Sequence, residues 1–148
     1  MANRNFNGTQ INQSVTVTVP AGADIADCRN RAMAYDDSGN VVLAEDGKKP
    51  IVGIALIESG LNDISGVDSG KVAKGEDVDI QIKDIGFILA GGEIAIGAEV
   101  TAGAGGLAAA ASSGDYVVGL ALQAAEKDDY CCIQITKYQK NQEGGKTE

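Results

Sequence analysis

The chain has 148 residues, of which 44% are hydrophobic, 22% charged and 4% aromatic, with 20 Gly and neither His nor Trp. That length builds one domain with a real core but not two catalytic lobes around a cleft. The missing histidine removes the commonest general base and the imidazole metal ligand, which excludes most hydrolytic triads and zinc sites, and a net charge of −9 makes nucleic acid and anionic membrane poor partners.

The first thirteen residues are polar and rich in Asn and Gln, with Arg4, Phe6 and Ile11 spaced among the amides. Such a segment has no self-sufficient core. It reads either as a frayed terminus or as an extended arm held by a neighbouring subunit or a larger assembly through strand addition. Residues 1–23 carry only Arg4 and residues 137–148 carry three Lys and two Glu, so each end is +1 and the body between them is −11. No run of about 18 uncharged apolar residues is present, nor a basic patch followed by an apolar stretch, so neither a membrane span nor a secretory leader is expected. The three cysteines, Cys28, Cys131 and Cys132, contain no CxxC and suit synthesis in a reducing host cytoplasm.

Val15, Val17 and Val19 alternate with Thr16 and Thr18, the period-two pattern of a strand with one apolar face. From Asp24 onward short apolar runs alternate with turn signals. Asp36-Asp37-Ser38-Gly39-Asn40 precedes Val41 to Leu43, Asp46-Gly47 precedes Pro50 to Ile57, and glycines punctuate the rest. Residues 57–64 hold one helical turn at most. The Ala-rich stretch 102–111 is interrupted by Gly103, Gly105 and Gly106 and reads as a loop or a small-residue strand edge, with a short helix as the lesser alternative. The pattern predicts an all-β barrel or sandwich, divided as an arm and first strand (1–23), a β-rich body (24–138) and a polar tail (139–148).

An internal repeat organises the body. Val52-Gly53-Ile54-Ala55-Leu56 recurs as Val118-Gly119-Leu120-Ala121-Leu122, and Val78-Asp79-Ile80-Gln81-Ile82 recurs as Cys131-Cys132-Ile133-Gln134-Ile135. The connection within the first copy is the longer one. Two pseudo-symmetric strand units are expected, each supplying apolar faces that the other covers. In each unit the isoleucines face one side and the glutamine the other. Burying all four isoleucines would contribute on the order of 6 to 12 kcal/mol before entropy. Gly53 and Gly119 mark a bulge, a barrel corner or close backbone packing.

Several patterns resemble chemistry without supporting it. Gly103-Ala104-Gly105-Gly106-Leu107-Ala108 fits GxGxxA but lacks the βαβ unit that a dinucleotide site requires. Asp36, Ser38 and Asn40 echo the start of a calcium loop, but Val41 stands where that loop needs Gly, which favours a hairpin turn. The acidic groups 76–79 and 126–129 precede equivalent strands and read as solvated turns, not as an acid and base pair. Cys131 and Cys132 point to opposite faces of a strand, one of them into the core, with no base nearby. No catalytic, cofactor or metal residues are assigned.

The order of these elements, 51–56, then 75–82, then Gly86 and Val100, then 117–122 and a final strand, resembles the capsid decoration (cement) and head fiber proteins of tailed bacteriophages over residues 24–136. The resemblance implies a small β-rich, non-enzymatic virion protein bound to the exterior of the head at junctions of the major capsid protein, as a homo-oligomer with a trimer favoured. Arg4, Phe6, Asn7 and Ile11 are then the candidate capsid contacts, Arg4 pairing with shell carboxylates and the apolar pair filling a groove. Two alternatives stand beside this reading. One is the base of a head fiber whose partner chain carries a separate host-binding module. The other is a small hydrolase using a carboxylate pair, which needs two carboxylates in a cleft, one with a raised pKa.

Overall fold

The structure is a computed structural model that describes residues 15–141. Its strands are β1 (Thr16–Pro20), β2 (Ala32–Tyr35), β3 (Val41–Leu43), β4 (Ile51–Ala55), β5 (Asp77–Gln81), β6 (Ile85–Leu89), β7 (Glu99–Ala102), β8 (Ala108–Ala110), β9 (Tyr116–Ala121) and β10 (Tyr130–Gln139), with one 3-10 turn at Ala104–Gly106. They form two antiparallel five-stranded sheets ordered β1-β5-β4-β2-β3 and β6-β10-β9-β7-β8. Raising each number of the first order by five produces the second. The chain is therefore all-β, built of two tandem copies of one topology, as the repeat in the sequence predicts.

Each sheet curls until the end of its first strand reaches its third. Parallel bridges join Ala21 to Val41 and Ala90 to Ala108, and the amides of Gly22 and Gly91 donate to those carbonyls at 2.8 and 2.9 Å. The result is a small, partly closed barrel in each unit. The copies match down to single hydrogen bonds. Ile25 and Val72 exchange amide bonds as Ile94 and Ala125 do, and the Asn30 amide donates to Ala55 as the Gly97 amide donates to Ala121. Asn30 and Gly97 both take the left-handed conformation, with φ of 55° and 83°, a backbone requirement that Gly meets freely and Asn tolerates.

Burial follows the strand alternation. The first barrel encloses Ile25, Met33, Val41, Val52, Val72, Val78 and Ile80. The second encloses Ile94, Val100, Val118, Cys131 and Ile133, and its core continues into Ala32, Ala34, Ile51 and Ile54 of the first unit. A bulge makes this continuity possible. Met33 pairs with Gly53 while Ala34 pairs with Ile51, so the extra residue Val52 lets Ile51 and Ile54 share one face. That outer face of the first sheet seals the second barrel. Asn30 Nδ2 donates to Phe87 O at 2.9 Å, Arg31 Nη1 to Gly105 O at 2.8 Å and Lys137 Nζ to Val52 O at 2.6 Å, tying the units together around the apolar contact.

Gly53 and Gly119 serve close packing. A Cβ at Gly53 would overlap the carbonyl oxygen of Gln81 and press on Ile80, and one at Gly119 would meet Gln134 and Ile133 in the same way. Of the four repeated isoleucines, Ile80, Ile133 and Ile135 are buried, whereas Ile82 is only partly covered at the end of its strand. Gln81 differs from its exposed counterpart Gln134, because its amide donates to the carbonyls of Lys83 and Ile85, both at 2.8 Å, and is roofed by the link between the units. The Ala-rich stretch becomes the end of β7, the 3-10 turn and the short edge strand β8.

Candidate binding surfaces

The arm residues Arg4, Phe6, Asn7 and Ile11 lie outside the described residues. The other sequence candidates fall into scaffold roles. Asp36 Oδ1 accepts the amides of Ser38 and Asn40 at 2.8 and 3.0 Å and closes the β2–β3 hairpin. Among the described residues, no cluster of three or more Cys, Asp or Glu is arranged to hold a metal ion.

The acidic groups before β5 and β10 also close turns. Glu76 Oε1 accepts the Ala73 amide at 2.9 Å, and Asp129 Oδ2 accepts the equivalent Glu126 amide at 3.3 Å. Equivalent open grooves lie beside these turns, one lined by Asp24, Ile25, Val72 and Glu76, the other by Glu93, Ile94, Ala125 and Asp129. Their carboxylates are exposed. The displaced carboxyl groups in the described chain are displaced downward. Burial raises the Asp27 pKa, but the hydrogen bonds and charge of Arg29 outweigh it and hold it low. The Ser65 hydroxyl lowers Asp63, and the Tyr138 hydroxyl lowers Glu99. A carboxylic acid that donates a proton near neutral pH needs the opposite shift.

Of the adjacent pair, Cys131 is the one that enters the core, and Cys28 is buried too. Burial pushes the Cys28 thiol up to about 11 and raises Cys131 as well, so neither forms a ready thiolate. In a Cys132→Ser chain, Ellman's reagent at pH 8 is expected to titrate no thiol until denaturant unfolds the protein. A thiol reacting before the unfolding transition would contradict the burial of Cys28 and Cys131.

Comparison of the two units exposes what sequence reasoning missed. On the outer face of the first sheet, β1 and β5 present Thr16, Thr18, Asp77 and Asp79, with Thr18 Oγ1 donating to Asp79 Oδ1 at 2.6 Å. The equivalent positions of β6 and β10 carry Ile85, Phe87, Tyr130 and Cys132. Ile85, Phe87 and Tyr130 are 54%, 51% and 53% exposed. Phe87 lies opposite Cys132 and Leu89 opposite Tyr130, while the Leu122 amide donates to Cys132 O at 2.8 Å. These side chains form one uncharged apolar face. A position-by-position alignment of the repeats would have revealed it, since Thr and Asp give way to large apolar residues.

The second difference is a loop. Twenty residues (57–76) separate Leu56 from Asp77, against seven (123–129) between Leu122 and Tyr130. The extra segment folds on itself. Asp63 accepts the amide of Ser65 at 3.1 Å, its hydroxyl at 2.7 Å and the amide of Asp68 at 3.0 Å, and the Ser69 hydroxyl donates to Asp63 O at 3.0 Å. The tip presents Ile64 and Val67 at 105% and 82% exposure.

No family model and no curated protein matches the sequence. Among solved structures, the head fiber gp8.5 N base of bacteriophage phi29 superposes with a TM-score of 0.54, covering 84% of this chain and 95% of that one at 20% sequence identity. The chain shares a phage head fiber fold.

Proposed function

We propose that the protein is a non-enzymatic structural component of a phage virion, attached to the outer surface of the capsid as a homo-oligomer with a trimer favoured. The observation that carries this reading is the fold shared with a phage head fiber base over most of both chains. The chemistry agrees with it. Cys28 and Cys131 pack cores, Glu76 and Asp129 close turns, and the body is strongly acidic between less acidic ends, which suits a soluble outward surface with separate points of attachment. Multivalent attachment through an oligomer strengthens weak individual contacts.

Arg4, Phe6, Asn7 and Ile11 are the proposed contacts with the major capsid protein. Removing residues 1–13 is expected to abolish co-sedimentation with empty heads while the far-UV circular dichroism of the body stays unchanged. Saturation of heads by the shortened chain would overturn the arm's role, and failure of the full chain to occupy a defined symmetry position on the shell would overturn the virion reading. A second role, the base of a head fiber, is favoured by the 95% coverage of a fiber base. Co-purification with a distal fiber chain distinguishes it from simple decoration.

A further inference from the structure

We infer that copies of this chain associate by seating the 57–71 loop of one copy on the apolar β6–β10 face of the next. The inference deepens the self-association proposed above and rests on it. The two units act as each other's control. Each differs from the other in an apolar surface that the fold does not need: Ile64 and Val67 on a loop that the second unit lacks, and Ile85, Phe87 and Tyr130 on a face that the first unit builds from Thr and Asp. Both surfaces stay exposed within one chain, so neither covers the other intramolecularly.

Charge restricts where a second copy can dock. Chains whose bodies each carry −11 repel wherever their acidic surfaces meet, and the β6–β10 face is the place where the sheet surface carries no charge. Its half-exposed aromatics and aliphatics offer on the order of 400 Å² of apolar area. With the loop tip on the other side, that supplies the dry core of a standard interface of about 1,600 Å² in total, leaving the remainder to a polar rim. The loop is braced by Asp63, Ser65 and Ser69 before contact, so little ordering opposes docking. Because the two surfaces are different, the contact is head-to-tail, which closes into a ring when the rotation between copies permits.

Cys132 stands on the receiving face, opposite Phe87, and provides the probe. Full-length Ile64→Cys, mildly oxidised, is expected to give covalent multimers on a non-reducing gel that the added substitution Cys132→Ser suppresses at least tenfold. Light scattering should give an oligomer for the wild type and a mass falling toward the monomer for Phe87→Asp and, independently, for Val67→Asp, each with an unchanged circular dichroism spectrum. Since both sites are exposed, the pair guards against one variant misfolding. A wild type that is monomeric at 100 μM overturns self-association itself. An oligomer that survives both aspartates, or cross-links that persist without Cys132, overturns this interface and leaves the self-association standing.

Discussion

Gly119→Ala is expected to destabilise the protein by about 3 kcal/mol, and Gly119→Val by at least as much. For a chain of this size that lowers the thermal midpoint by roughly 10 °C. The first added carbon makes the clash. A Cβ at Gly119 would overlap the backbone oxygen of Gln134 and come within 3.0 Å of Ile133 Cδ1. A carbonyl in a sheet cannot rotate away as a flexible side chain can, so β10 must shift against β9, and Ile133 at the centre of the second barrel moves with it. Gly53→Ala should behave in the same way, because Gln81 and Ile80 stand in the equivalent places. Gly92→Ala is the control, since nothing lies within 4 Å of its added carbon, and its effect should stay within about 0.5 kcal/mol. Urea unfolding followed by circular dichroism measures all four variants. A Gly119→Ala protein as stable as the wild type would mean that the strands do not approach as described.

Those glycines were legible in the sequence for the reason that makes them costly to change. β4 and β9 are interior strands, and burial dictates nearly every side chain, so the VG(I/L)AL pattern survives in both copies. The strands that follow keep their inward residues, Val78 and Ile80 in one, Cys131 and Ile133 in the other. A second repeated pattern was also present, Ala21-Gly22 with Ile25-Ala26 and Ala90-Gly91 with Ile94-Ala95. It marks where each first strand bends over the third to close the barrel. It is harder to notice because the residues on either side face different surroundings in the two units.

The exposed face of the second unit escaped the sequence for another reason. Ile85, Phe87 and Leu89 alternate with Gly86 and Ile88, so every position of β6 is compatible with burial, and a period-two argument cannot say which side is covered. The barrel interior takes Ile88, leaving Ile85 and Phe87 outside. The loop tip is similar. Ile64 and Val67 sit among Asp63, Ser65, Gly66 and Asp68, a composition that reads as an ordinary polar connection. Only the bracing by Asp63 shows that the apolar residues are held outward.

Ile54→Ala is expected to cost about 3 kcal/mol, within the range for a large aliphatic removed from a core, and to lower one calorimetric transition without splitting it. Ile54 belongs to a strand of the first unit but packs in the cluster that contains Ile88, Val118 and Ile133 of the second, where it is 2% exposed. Its counterpart in the repeat, Leu120, is only partly buried on the uncovered face, so Leu120→Ala should cost about 1 kcal/mol or less in the dissociated chain. The asymmetry arises because the units stack in tandem: the outer face of β2 and β4 in the first unit seals the second barrel, and Leu120, at the equivalent place in the second unit, has no such barrel over it. If the units unfolded independently, calorimetry would resolve two transitions and Ile54→Ala would displace only one. A shared core forbids that, since exposing Ile54 by melting either barrel uncovers apolar surface in the other.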